Sequence, residues 1–116
     1  MRSILRASAL CLAIFGVATN AIERGLTSHF SSWLKANGYS SYNFDRTEFD
    51  GGAFGGKSSD SEVLKHNPVI FYHGNSDIAV GNSWTWQTGF TTSIDYFMSK
   101  GYSKGELYIT TWGPGN

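Results

Sequence analysis

The sequence predicts an α/β fold built around a strand–helix–strand unit, and three segments carry that prediction. Asn67-Pro68-Val69-Ile70-Phe71-Tyr72 is a short apolar run that starts on proline and stops at His73-Gly74, the pattern of a strand buried on both faces. Trp86, Phe90, Ile94, Phe97 and Met98 then recur at helical spacing. Glu106 to Trp112 follows, rich in β-branched and aromatic residues. Strands over about 68–73 and 106–112, joined by a helix over about 85–100, make a βαβ unit of a parallel sheet, with a right-handed crossover.

The remaining elements follow in order. Arg2 and Arg6 precede an apolar stretch from Ala7 to Val17, and the small residues Gly16, Ala18 and Ala21 come next. This basic, apolar, small-residue order predicts a secretory signal peptide over 1–21, cleaved after Ala18 or Ala21. The apolar stretch is too short to cross a hydrocarbon core of ~30 Å, so no transmembrane segment is expected. Ile22, Leu26, Phe30, Trp33 and Leu34 fall at helical spacing. With Asn20 as a cap, Glu23 at the third helical position and Gly38 just past the end, they predict a helix over about 21–37. His29 lies on or beside that stripe and reads as a packed or solvated histidine rather than a ligand. From Tyr39 to Lys65 no period is sustained, which leaves a long ordered loop or short strands at a sheet edge. Lys100 in the last turn and Gly101 after it end the second helix, and Gly113-Pro114-Gly115 ends the last strand.

Composition narrows the function classes. The 116 residues suffice for one small domain, with 41% hydrophobic, 16% charged and 16% aromatic residues and a formal charge of zero. No basic footprint for nucleic acid is present. Loss of Arg2 and Arg6 with a signal peptide leaves seven basic against nine acidic residues, a net charge of −2. The single cysteine, Cys11, would go with it. The remaining chain then has no disulfide to staple it. Two helices and two strands leave apolar surface and strand edges uncovered, so residues 22–116 are expected to be the amino-terminal part of a larger α/β domain.

Gly51-Gly52-Ala53-Phe54-Gly55-Gly56-Lys57-Ser58 matches the phosphate-loop spacing. That loop needs a buried strand before it and a helix after it. Arg46-Thr47-Glu48-Phe49-Asp50 is too polar for the strand, and only two turns fit before Pro68, so the match reads as a glycine-rich surface loop. The three histidines are not spaced as metal ligands, no Asn-x-Ser/Thr acceptor occurs, and no acid/base pair of carboxylates can be assigned by spacing. No metal or other cofactor is expected.

The His73-Gly74-Asn75-Ser76 turn at the end of the first strand carries the chemistry. Function in open parallel sheets collects at the carboxyl ends of strands. Glycine there lets backbone approach a ligand without a Cβ. Rigid N–H donors stabilise the oxyanion of an acyl-transfer intermediate, each worth ~3 kcal/mol. Asn75 is the candidate oxyanion donor, with Gly74 beside it. His73 is expected to tie the turn down by hydrogen bonds, not to act as a base. Asp77 suits a loop or cap role better than that of a catalytic acid. Trp84 and Trp86 either line an acyl pocket or pack the helix on the sheet.

Phe54-Gly55-Gly56, Asn67 to Asp77 and Tyr108-Ile109-Thr110-Thr111-Trp112-Gly113, in that order and spacing, resemble the class 2 lipases, in particular the secreted nematode members of that family of the α/β-hydrolase superfamily. The resemblance implies a partial α/β-hydrolase fold and a lipase-like carboxylic ester hydrolase of lipid catabolism, secreted and cofactor-free. Its lipid or ester substrate would meet a serine–acid–histidine triad, with the serine on a Gly-x-Ser-x-Gly elbow. Gly101-Tyr102-Ser103-Lys104-Gly105 has the bare spacing, but it stands between a predicted helix and a predicted strand rather than at a strand-to-helix elbow, and Ser76, Ser83, Ser93 and Ser103 do not lie in an elbow. The triad is therefore expected beyond Asn116, and the chain alone is expected to be inactive. Two other readings stand beside this one: a secreted non-catalytic lipid- or sugar-binding protein, and a truncated gene product.

Overall fold

A computed structural model of the chain describes residues 22–81 and 87–113. The segment read as a signal peptide, together with Ser83, Trp84 and Trp86, lies outside the described residues. Among the described residues four strands form one mixed sheet: β1 (Gly25–Leu26), β2 (Ala53–Gly55), β3 (Val69–Ile70) and β4 (Leu107–Thr110), in the order β1-β2-β4-β3. The expected βαβ unit is present. β3 pairs parallel with β4, Val69 opposite Leu107 and Ile70 opposite Tyr108, and helix α2 (Thr91–Ser99) lies between them in sequence. β2 runs antiparallel to β4, with Phe54 opposite Ile109, and β1 is parallel to β2. Among the described residues no helix is long and apolar enough to cross a membrane.

The core sits on the α2 side of the sheet. Phe54, Ala79, Val80, Ile94, Leu107 and Ile109 are buried together, with Phe71, Phe90 and Phe97 packed against them. Period-two alternation along β4 sends Leu107 and Ile109 into this core and Tyr108 and Thr110 to the opposite face. Helix α1 (Ser28–Ala36) lies over that second face, where Phe30 meets Tyr108 edge-on at 5.4 Å.

Both helices start later than the spacing predicts. The first does not cover 22–27, because Gly25 adopts φ +84 and Leu26 pairs with β2. Thr27 is the cap in place of Asn20, its hydroxyl accepting the Phe30 N–H at 3.2 Å. The predicted stop holds, with Gly38 at φ +85. The second helix does not cover 87–90. Gly89 has φ +57, and a Cβ there would come within 2.6 Å of the Ala79 carbonyl oxygen, so the chain crosses the 78–81 backbone before it can coil. The predicted strand over 68–73 is regular only at Val69–Ile70, and Ile70 and Tyr72 are 61% and 78% exposed, so it is not buried on both faces. In the predicted 106–112 strand, Glu106 instead belongs to a 3-10 turn, Lys104–Glu106.

The glycine-rich segment is the larger correction. Residues 51–56 are all buried, and β2 lies between β1 and β4 rather than at a sheet edge or in a surface loop. Gly56 has φ +113, and a Cβ on it would lie 2.5 Å from the Phe30 Cβ and 2.6 Å from the Thr27 hydroxyl oxygen. Backbone strain and overpacking therefore coincide. Gly56→Ala is expected to cost about 2–4 kcal/mol, read as a fall in the urea midpoint at constant slope.

Candidate functional site

The chain leaves β3 at Phe71, whose N–H donates to the Tyr108 carbonyl at 2.9 Å. Two residues later His73 is buried, while Gly74 and Asn75 are exposed. The His73 ring lies parallel to the Trp112 indole, 5.4 Å between centroids and 13° between planes. Trp112 donates two hydrogen bonds to His73. The Trp112 backbone N–H donates to His73 Nε2 at 3.1 Å, and the Trp112 indole N–H donates to the His73 carbonyl at 2.9 Å. Because Nε2 accepts, the ring proton sits on Nδ1, which donates to the Gly74 carbonyl at 2.7 Å. Both ring nitrogens are thus occupied, which leaves His73 no free lone pair for base catalysis.

The far side of the turn is equally fixed. Ser76 adopts φ +62, and its carbonyl accepts the Gln87 side-chain amide at 2.8 Å. Asp77 Oδ1 accepts the Ile78 N–H at 2.8 Å and the Gly89 N–H at 3.0 Å, binding this loop to the start of α2. Asp77 is committed to loop anchoring. Among the described residues no group takes up the Asn75 N–H, so the turn presents an unoccupied amide between two anchored ends. His73, Gly74 and Asn75 are contiguous at the sheet edge. His29, on α1, is paired with Asp60 at 3.1 Å.

Two residues that the sequence reading passed over hold the end of β4. Thr111 is 1% exposed, and its hydroxyl accepts the buried Ala79 N–H at 2.9 Å. Its own N–H donates to the Gly52 carbonyl at 2.8 Å. The inward period of Leu107 and Ile109 continues to Thr111 and was the available signal for it. Thr111→Val keeps the shape but orphans the Ala79 N–H. A loss of about 1–3 kcal/mol is expected in denaturant unfolding. Arg46, at φ +46, donates to the Thr111 carbonyl and, at 3.0 Å, to the Gly113 carbonyl, with Glu48 on its Nε. Nothing in the local sequence announces that reach.

Beside the turn, on the α1 face, runs an open apolar groove of about 560 Å³. Its lining includes Tyr72 and Trp112, the neighbours of His73 in sequence and in space, together with Phe30, Trp33 and Tyr108. The Tyr108 hydroxyl donates to the Gly105 carbonyl at 2.7 Å, and burial raises its pKa. Among the described residues no cluster of three histidine, cysteine or acidic side chains could hold a metal ion.

The site is thus a rigid turn at the carboxyl edge of an α/β sheet, next to an apolar groove. Residues 66–116 match the family model described as lipase (class 2), which supports a lipase relationship for the βαβ unit and its turn. Helix α1, β1 and β2 lie outside the matched span. Neither the curated proteins nor the solved structures give a match.

Proposed function

We propose that this chain is the amino-terminal part of a secreted, lipase-like carboxylic ester hydrolase of the α/β-hydrolase type, related to nematode class 2 lipases and acting in lipid catabolism. Asn75 N–H, with Gly74 beside it, is the first oxyanion donor, and His73 is the support that aims it. The observation carrying this reading is the unengaged Asn75 amide between anchors at His73 and Asp77, within a span that matches the class 2 lipase model. In the reaction, a serine oxygen adds to the ester carbonyl, and negative charge gathers on the carbonyl oxygen. A donor already fixed in place stabilises that charge without reorganisation. The alcohol leaves, and water then releases the acid from the acyl-serine. The nucleophile, acid and base are assigned to sequence following Asn116. The test is to read the transcript past codon 116 and assay its secreted product with a short-chain nitrophenyl ester and a fluorophosphonate probe. Gly-x-Ser-x-Gly, ester turnover and covalent labelling are the expected results. A frame that stops at Asn116 rejects the enzyme.

The groove favours a second reading, a secreted protein that holds a lipid without chemistry. Saturable, one-to-one binding of a fluorescent fatty acid by the chain, with no turnover by the extended product, would select it.

A further inference from the structure

Three hydrogen bonds run in one direction from an arginine to the turn. Arg46 donates to the Thr111 carbonyl. The same peptide unit carries the Trp112 N–H, which donates to His73 Nε2 at 3.1 Å. Across the ring, Nδ1 donates to the Gly74 carbonyl at 2.7 Å, and that peptide unit carries the Asn75 N–H. We propose that Arg46 is a positioning residue for the Asn75 amide, acting through this Thr111–Trp112–His73–Gly74 chain. The inference rests on the reading of Asn75 as the oxyanion donor and adds the distant charge that orients and strengthens that donor.

In a trans peptide unit the carbonyl and the N–H point opposite ways, so a donor fixed on the carbonyl also fixes where the N–H points. Drawing charge onto that oxygen makes the N–H a better donor, and bonds aligned head to tail reinforce one another. The imidazole passes the effect on, because a donor on Nε2 selects the tautomer with its proton on Nδ1. Arg46 is itself held firmly at the head of the chain. Its Nε pairs with Glu48 at 2.6 Å, its Nη2 donates to the Gly113 carbonyl at 3.0 Å, and its guanidinium carbon lies 4.8 Å from the centre of the Phe49 ring. Glu48 takes only Nε and leaves the terminal nitrogens to the two carbonyls. The Arg46 side chain is 17% exposed, and His73 and Thr111 are buried, so the bonds run through a poorly hydrated part of the fold, where they are strong. Lysine has the charge but not the planar fork that reaches both carbonyls and Glu48 together.

The first arm uses the isotope-labelled full chain and long-range proton–nitrogen NMR of the His73 ring, with no substrate. At neutral pH the parent is expected to hold the ring proton on Nδ1 alone. Arg46→Met should move both ring nitrogens toward the averaged shifts of two exchanging tautomers, with Arg46→Lys in between. The second arm follows the ester-hydrolysing product on nitrophenyl acetate, below the melting temperature of every variant. Arg46→Met is expected to lower kcat about fivefold with KM within about twofold, and Arg46→Lys to recover part of that loss. Arg46→Met should cost nothing further once Asn75→Pro has removed the amide. A parent ring protonated on Nε2, ring shifts indifferent to Arg46→Met, or an undiminished kcat loss in the Asn75→Pro background overturns the proposal. An extended product that hydrolyses no ester overturns the hydrolase reading instead, and the ring spectrum still decides whether Arg46 reaches the turn.

Discussion

Asn75→Pro in the ester-hydrolysing product is expected to lower kcat about 10²–10³-fold with KM little changed, while Asn75→Ala leaves both near the parent. Proline removes the Asn75 N–H that the turn presents, and alanine keeps it. The donor engages charge that exists only in the transition state, so its loss falls on kcat. The anchors at His73, Ser76 and Asp77 do not use this amide, so the melting temperature should hold. A proline variant with normal kcat would remove Asn75 from the oxyanion site.

Glu106→Gln is expected to weaken the fold more than any other carboxylate-to-amide change in the chain. Glu106 is 1% exposed at the start of β4. Burial alone would raise its pKa. The His66 ring and the backbone N–H groups of Ser103, His66 and Lys65 outweigh burial and hold it at about 2, against an ordinary value of 4.5. The folded state therefore favours the carboxylate. Its contribution is fully present above pH 4.5 and is lost as pH falls from there to about 2. The parent should lose melting temperature steeply across that window. Glu106→Gln should start lower at neutral pH and show a flatter acid limb, because an amide cannot accept four donors or titrate. Parallel acid limbs for the two proteins would contradict the assignment.

The βαβ unit was legible because its segments are periodic and bounded by glycine. Ile94 and Phe97 face the core from α2, and Gly101 ends that helix as expected. The helix starts were not legible, because they are set by tertiary contacts: β1 pairing with a strand 29 residues away, Gly25 opposite Phe54, and the chain crossing at Gly89. β2 was hidden by its composition. Ala53-Phe54-Gly55 flanked by glycines has low strand propensity, yet only glycine lets that backbone pack so closely against Arg46, Phe30 and Val80. At the candidate site, His73, Gly74 and Asn75 were readable as a turn after a strand. The groups that fix the surrounding frame were not, since Arg46 reaches 65 residues along the chain and Thr111 reaches 32.

The place of β4 in the sheet has a consequence for assembly. It is the last in sequence of the four described strands, yet it lies between β2 and β3 and is the partner they share. A nascent chain that has emerged only as far as α2 holds β1 and β2 as a two-stranded ribbon and β3 as a lone extended segment, neither stable by itself in water. The Leu107–Thr110 stretch acts as a keystone: its arrival joins the two halves in one cooperative closure.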